Sequence, residues 1–300
     1  MVDAITATNA HVTLDVALPG IVWGWIITMN MWAKSIATGV VFIGAFMITR
    51  HPQNTKSFKI SMPILALIFI HITLLFTVID LHQMFRFWHI FVHPNFTSAI
   101  TVGAWAVTGF VGILFVMMYA LLIKKSDSLF NMSMWIAVIL AIPSTLYTAV
   151  IMGESTAREL WQAPTELMQM MLAATLAGSA TLLIIAILAK SDEKVQKELA
   201  GILAISAMFS FMIYMGEYLF GHMKAEDVAV TLEAVKVGGE YASMFWVGQS
   251  LAFIVPFVLV FLSYKNRVTS LLLLASVLSL IGLWITKHVW LIIPQLLPMS

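Results

Sequence analysis

Eight stretches of this chain are apolar for long enough to cross a lipid bilayer, and the segments between them are too short to hold a domain. A spanning helix needs about 20 mostly apolar residues. Such runs fall roughly at residues 20–49, 60–83, 98–123, 129–152, 164–189, 199–221, 240–263 and 268–292. A soluble domain carries about a quarter charged residues; here 10% are charged and 61% are hydrophobic. The bilayer must therefore act as solvent, and inside it the backbone has to satisfy its own hydrogen bonds, which favours helices. The reading is an all-α polytopic membrane protein of eight transmembrane helices. Residues 1–300 form a single integral membrane domain, expected to divide into two four-helix bundles.

Other classes fall away quickly. The chain has no cysteine, which excludes disulfides and any thiolate-bound iron–sulfur cluster or structural zinc site of its own. A net charge of +1 without a basic run gives no reason to expect nucleic acid. The opening "MVDAITATNAHVTLD" lacks a basic segment, so a cleaved signal peptide is not expected and the first span should do its own targeting.

Orientation follows from lysine and arginine. Arg50, Lys56, Lys59, Lys124, Lys125, Lys190, Lys194, Lys197, Lys265 and Arg267 fall in the connections after the odd-numbered runs. The other side carries Arg86, Arg158, Lys224 and Lys236, diluted by acidic residues that include Glu154, Glu159, Glu166 and Glu226. The positive-inside rule then places both termini outside. Only Lys34 and Lys287 remain, and both lie within spans.

Ionisable groups at membrane depth are costly and mark functional sites by default. Here they are Lys34, His71, Asp80, Glu217, Lys287 and His288, with His222 and Glu240 at outer helix ends. Nearly all fall in the outer half of the bilayer, joined there by Asn30 and Tyr147; His71 alone lies near the midplane. Interhelical glue is the plain alternative, for instance Lys34 paired with Glu217 or Asp80, while Lys287 could snorkel to the interface. Glue has no reason to prefer one leaflet. The one-sided cluster suggests a polar pocket near the outer surface.

Several chemistries suit such a pocket poorly. Haem would need two histidines at matching depth, and only His71 is deep. No HExxH spacing supports a zinc hydrolase. A transporter favours helices broken near the midplane; Pro143 and Pro256 are possible kinks, whereas Pro63 and Pro294 read as helix-end residues. A quinone headgroup fits better. It needs donors to two carbonyl oxygens and an acid that takes protons to water. Tyr147, Asn30 or a lysine could donate; Asp80, Glu217 or Lys34 could carry protons.

The stretch "VIDLHQMFRFWHIFVHPNFTSAI", Val78 to Ile100, concentrates Asp80, His82, Arg86, His89 and His93 where the second run ends. Asp80 is followed by Arg86-Phe87, then Pro94-Asn95-Phe96-x-Ser98, then Gly103-Ala104-Trp105. Further on, "YTAVIMGESTARELW" begins at Tyr147. In this order and placement the motifs resemble the NrfD/PsrC family, whose type member is the quinol-binding anchor of polysulfide reductase. The likeness covers nearly the whole chain. It departs from the family pattern at His82-Gln83-Met84, which replaces Gly-Arg-Pro, at Glu159, which replaces proline after Ala157-Arg158, and at Ile27, where an asparagine is usual. Lys34 and Lys287 have no family counterpart.

The resemblance implies an exchangeable quinol or quinone, menaquinone or ubiquinone, with no haem or iron–sulfur cluster in this chain. It implies Tyr147 and Asn30 as quinol contacts and Asp80 as the acid beside the ring. Arg86, His82 and Arg158 become candidates for a pocket lid or partner docking. The expected function is a membrane anchor that oxidises quinol and passes electrons to a ferredoxin-like 4Fe-4S subunit, with a molybdopterin catalytic subunit completing the complex. The expected location is the bacterial inner membrane, with periplasmic termini. Quinone reduction would use the same residues. A different possibility is an ion-translocating subunit in which Lys34, Glu217 and Lys287 form a charge relay.

Overall fold

The computed structural model describes residues 20–81, 83–266 and 268–297. Its eight long apolar helices are α1 Trp25–Arg50, α2 Lys56–Asp80, α3 Ala99–Lys124, α4 Asp127–Glu154, α5 Ala163–Leu188, α6 Glu193–Met223, α7 Ala242–Asn266 and α8 Thr269–Gln295. Each coincides with one of the runs read from the sequence. Helix α2 begins earlier than expected, because Lys56 and Lys59 are part of its first turn rather than of a loop. Pro63 consequently lies inside α2 and not at its end. The carbonyl it leaves unbonded is that of Lys59, at the charged rim where Lys59 pairs with Asp127 at 2.8 Å. Pro294 does sit in a closing 3-10 turn.

Helices α1–α4 pack as one four-helix bundle and α5–α8 as a second. The two meet chiefly where α1 lies against α5, with α4–α5 and α1–α8 contacts on either side. Small residues make the central seam possible. A Cβ added to Gly39 would stand 1.9 Å from the Ala174 carbonyl oxygen, and one added to Gly178 would stand 2.2 Å from the Gly39 backbone. With no hydrophobic drive between helices in lipid, such close backbone approach is what holds them together. Ser35, Ala37, Gly39, Gly44 and Ala45 let neighbours surround α1, so it is the most buried span.

In α7 a π-turn at Ser250–Ile254 precedes Pro256. The wider turn relieves the clash that a proline ring makes with the carbonyl four residues back. Beneath it, Gly282 of α8 approaches the backbone of Leu251 and Ala252.

The two ends of the described chain are tied on one face. The Gln295 side-chain carbonyl accepts from the backbone N–H of Val22 and of Trp23, both at 3.0 Å, and its amide donates to the Trp23 carbonyl at 2.9 Å. This termini face also carries the α2–α3 connection, in which a 3-10 turn at Met84–Arg86 and a single helical turn at His89–Val92 fold over the first bundle.

Candidate functional site

The first bundle encloses a cavity of about 440 Å³ at the termini face, lined by α1–α4 and roofed by the α2–α3 connection. That volume is within the range of small-molecule sites, roughly 300–1,000 Å³. Asn30, Asp80, Arg86 and Tyr147 all line it, although they come from three helices and a loop. The remaining wall is largely apolar, as in a site where a few polar groups orient a flat ligand.

On α1, both amide hydrogens of Asn30 are committed to α2. They reach the Thr73 carbonyl at 3.0 Å and the Thr77 hydroxyl at 2.6 Å. Thr77 in turn donates to the Thr73 carbonyl at 2.9 Å. What Asn30 has left to offer a ligand is its carbonyl oxygen, an acceptor. With its amide hydrogens held within the protein, Asn30 presents an acceptor, which suits a ligand bearing a hydroxyl. Thr73, Thr77 and Asp80 share one face of α2 at helical spacing, so the stripe could have been found in the sequence.

On α4, the Tyr147 ring is gripped from two sides. Gly103 of α3 lies so close that a Cβ there would come within 2.3 Å of the ring. This gives the glycine of the Gly103-Ala104-Trp105 motif a steric role. From α1, the Lys34 ammonium stands 4.0 Å from the ring centroid and donates to the hydroxyl of Thr148. An ammonium over an aromatic face is attracted to the ring and helps to hold it. Thr148 also lines the cavity, so Lys34 lies one residue behind its wall.

The roof is one layer thick. Phe87, Ile90 and Phe91 face the cavity, while Phe85, Trp88, Val92 and Phe96 are exposed on the other side. Phe87 and Ile100 line the cavity and are themselves about half exposed, so the wall between α2 and α3 is a single side chain deep.

Other sequence candidates lie elsewhere. Glu217 is in the second bundle, where it accepts two bonds from Lys224 at 2.6 and 2.8 Å and one from Thr165 at 3.3 Å. The partners of Lys34 are instead Thr148 and the Tyr147 ring, both in the first bundle. Arg158 is buried and donates to the carbonyls of Pro294 and Leu297, both at 2.6 Å, which pins the end of α8. His82 lies outside the described residues. His71 is exposed on the lipid side, with Nδ1 2.7 Å from the Leu67 carbonyl. Lys287 does not snorkel; it is 3% exposed. Glu166, read only as a charge near the outer surface, is 1% exposed.

A family model described as polysulphide reductase, NrfD, matches residues 16–298. The chain belongs to the NrfD family. As a member it is a multi-pass membrane subunit of an oxidoreductase complex of the polysulphide-reductase kind. No curated protein matches this NrfD-family chain. The motif residues that carried the resemblance now have places in the fold: Asp80, Arg86, Ala104 and Tyr147 face one cavity, and Gly103 makes room for the tyrosine.

Proposed function

We propose that this NrfD-family subunit binds a quinol in the α1–α4 cavity and oxidises it for an electron-accepting partner. The observation that carries the reading is the convergence of Asn30, Asp80, Arg86 and Tyr147 on one largely apolar cavity. A quinol ring fills the space between them, and its isoprenoid tail leaves through the thin α2–α3 wall into lipid. The Asn30 carbonyl accepts from one hydroxyl. Tyr147 holds the other side of the ring, and Asp80 receives a proton at the rim.

Oxidation releases two electrons and two protons. The electrons pass one at a time to a ferredoxin-like 4Fe-4S subunit docked on the termini face, and from there to a molybdopterin catalytic subunit. The complex then resides in a bacterial inner membrane with that face towards the periplasm. Menaquinol and ubiquinol both fit the arrangement, and quinone reduction is the same sequence run backwards. The segment from Gln83 to Phe91, with Arg86, closes the cavity from above.

The test uses the purified complex. Asp80→Asn should lower quinol-dependent reduction of the partner cluster roughly 100-fold, the lower end for a lost general base, with assembly intact. Tyr147→Phe should raise the quinol KM about tenfold, as for one lost hydrogen bond of about 1.4 kcal/mol. Wild-type kinetics in both variants would end the proposal.

A further inference from the structure

The two hydroxyls of a quinol point away from one another, so a single acceptor at Asp80 leaves the Tyr147 side without a proton exit. Behind Tyr147 the buried charges continue. Lys34 of α1, 1% exposed, lies within electrostatic reach of Lys287 of α8, which is 3% exposed. Lys287 lies 3.4 Å from the Met170 sulfur on α5, one turn from Glu166 on the same helix and within its electrostatic reach. Glu166 accepts from the Trp290 indole at 3.0 Å and interacts with Glu217 and Lys224. Lys224 is 30% exposed, so the series ends at the surface of the termini face.

The charge count makes this series more than glue. Glu217 and Lys224 neutralise one another at 2.6 Å. That leaves two lysines, Lys34 and Lys287, against one carboxylate, Glu166. With both amines protonated the group holds one uncompensated positive charge in a buried place, which is costly. With one proton fewer it is neutral. A cluster poised between those two states can take up a proton and pass it on. Tyr214 on α6 packs on the Trp290 ring that donates to Glu166, whereas His288 turns the other way, to the Thr28 hydroxyl at 3.0 Å.

The Gln169 amide nitrogen, both polar atoms of the Gln249 side chain and the Thr286 hydroxyl are buried without a hydrogen bond among the described residues. Gln169 and Thr286 adjoin Met170 and Lys287 in the chain, and Thr286 lies against Gly248 of α7. Buried polar atoms of this kind are ordinarily satisfied by internal water, which also carries protons between side chains too far apart to bond directly.

We propose that Lys34, Lys287 and Glu166 form a proton relay from the Tyr147 side of the quinol cavity, across the bundle seam, to the Glu217–Lys224 pair at the termini face. This rests on the quinol reading above and adds a second exit to it. In the balanced step, one quinol hydroxyl proton goes to Asp80 and the other to the amine of the deprotonated lysine. Two electrons leave one at a time for the partner's iron–sulfur cluster, and one proton is released beside Lys224.

The experiment is redox-difference infrared spectroscopy of the intact complex on quinol oxidation, paired with turnover. Wild type should show a carboxyl band that gains a proton, shifts in heavy water and is absent in Glu166→Gln. Lys34→Met should abolish that band while the quinone's own bands persist, and should slow turnover roughly 100-fold. The double variant Lys287→Met/Glu166→Gln removes one positive and one negative charge together, so the net charge of the buried group is unchanged, and it should show the same kinetic loss in a folded complex. A wild-type spectrum without the Glu166 band, a band that survives Lys34→Met, or unchanged turnover in the double variant would overturn the relay alone. Absence of the quinone bands themselves from wild type would overturn the quinol site and the relay together.

Discussion

The two bundles treat buried polar groups in opposite ways. In the first, Asn30, Thr73 and Thr77 satisfy one another and leave a carbonyl oxygen turned towards a cavity. In the second, Glu217 is saturated by Lys224 and Thr165, and Glu166 is held by Trp290. Polar side chains beside empty space need a ligand to complete them; polar side chains that complete one another need only to be kept together. The first bundle is therefore built around a ligand that comes and goes, and the second around side chains that stay in place whatever proton they hold.

That contrast depends on the seam that holds the bundles in register, and breaking the seam should have the largest effect. In Gly39→Val the new side chain meets the Ala174 backbone, which cannot move aside as a flexible side chain would. Overpacking normally costs about 1–3 kcal/mol, and a side chain driven into helix backbone belongs at or above the upper end. The expected outcome is loss of folded protein from detergent extracts and of both functions with it. A variant that extracts normally and keeps wild-type thermal stability would show that the bundles do not rely on this contact.

A sharper division comes from Asn30→Leu. It removes the carbonyl that faces the cavity and strips Thr77 of a donor, while touching nothing in the second bundle. The quinol KM should rise about tenfold, consistent with one lost hydrogen bond of about 1.4 kcal/mol, and the Glu166 carboxyl band should be unaltered at saturating quinol. A change in that band with no change in KM would reverse the assignment of the two bundles.

The fold is legible in the sequence to the extent that lipid leaves few choices. Eight long apolar runs become eight helices because a continuous run of about 20 apolar residues satisfies its own backbone in lipid only as a helix. Pro63 misleads for a local reason: its missing N–H argues for a helix end, but the carbonyl it frees lies at a charged rim and not in hydrocarbon. Depth is legible too, and it groups Asn30, Asp80 and Tyr147 correctly. What depth does not convey is the direction of a side chain around its helix. Glu217 shares a level with Asp80 yet belongs to the other bundle, and His71 is deep but turned to lipid. Glu166 escapes notice because it stands in the first turn of α5, where an acidic residue ordinarily favours the helix N-terminus and is expected at the surface. Gly103 could be read only as a motif letter until the Tyr147 ring was seen against it.

Gly103→Ala tests that last point with a smaller effect. The added methyl would lie 2.3 Å from the Tyr147 ring, so the ring must shift or turn. Its contact with Lys34 weakens as it does, losing part of the roughly 2 kcal/mol that a desolvated cation over an aromatic face contributes. Quinol affinity should fall several-fold, with the second bundle unaffected. Combining it with Tyr147→Phe should add little, because both changes act through one side chain and contacting residues are not additive. Full additivity would mean that the glycine serves the helix contact and not the tyrosine.

His71→Phe should have the smallest effect of all, and that is its value. His71 is ionisable and lies deep in α2, which on sequence alone makes it a candidate for a proton path. Its ring faces lipid beside Phe115, at 6.2 Å between centroids, and its Nδ1 is engaged with the Leu67 carbonyl in its own helix. Phenylalanine keeps the edge-to-face contact and loses only a bond within one helix, so turnover, KM and the pH profile should all match wild type. A pH profile that moved would place a proton carrier on the lipid face of the first bundle, and the contrast between a ligand-filled bundle and a charge-holding one would no longer stand.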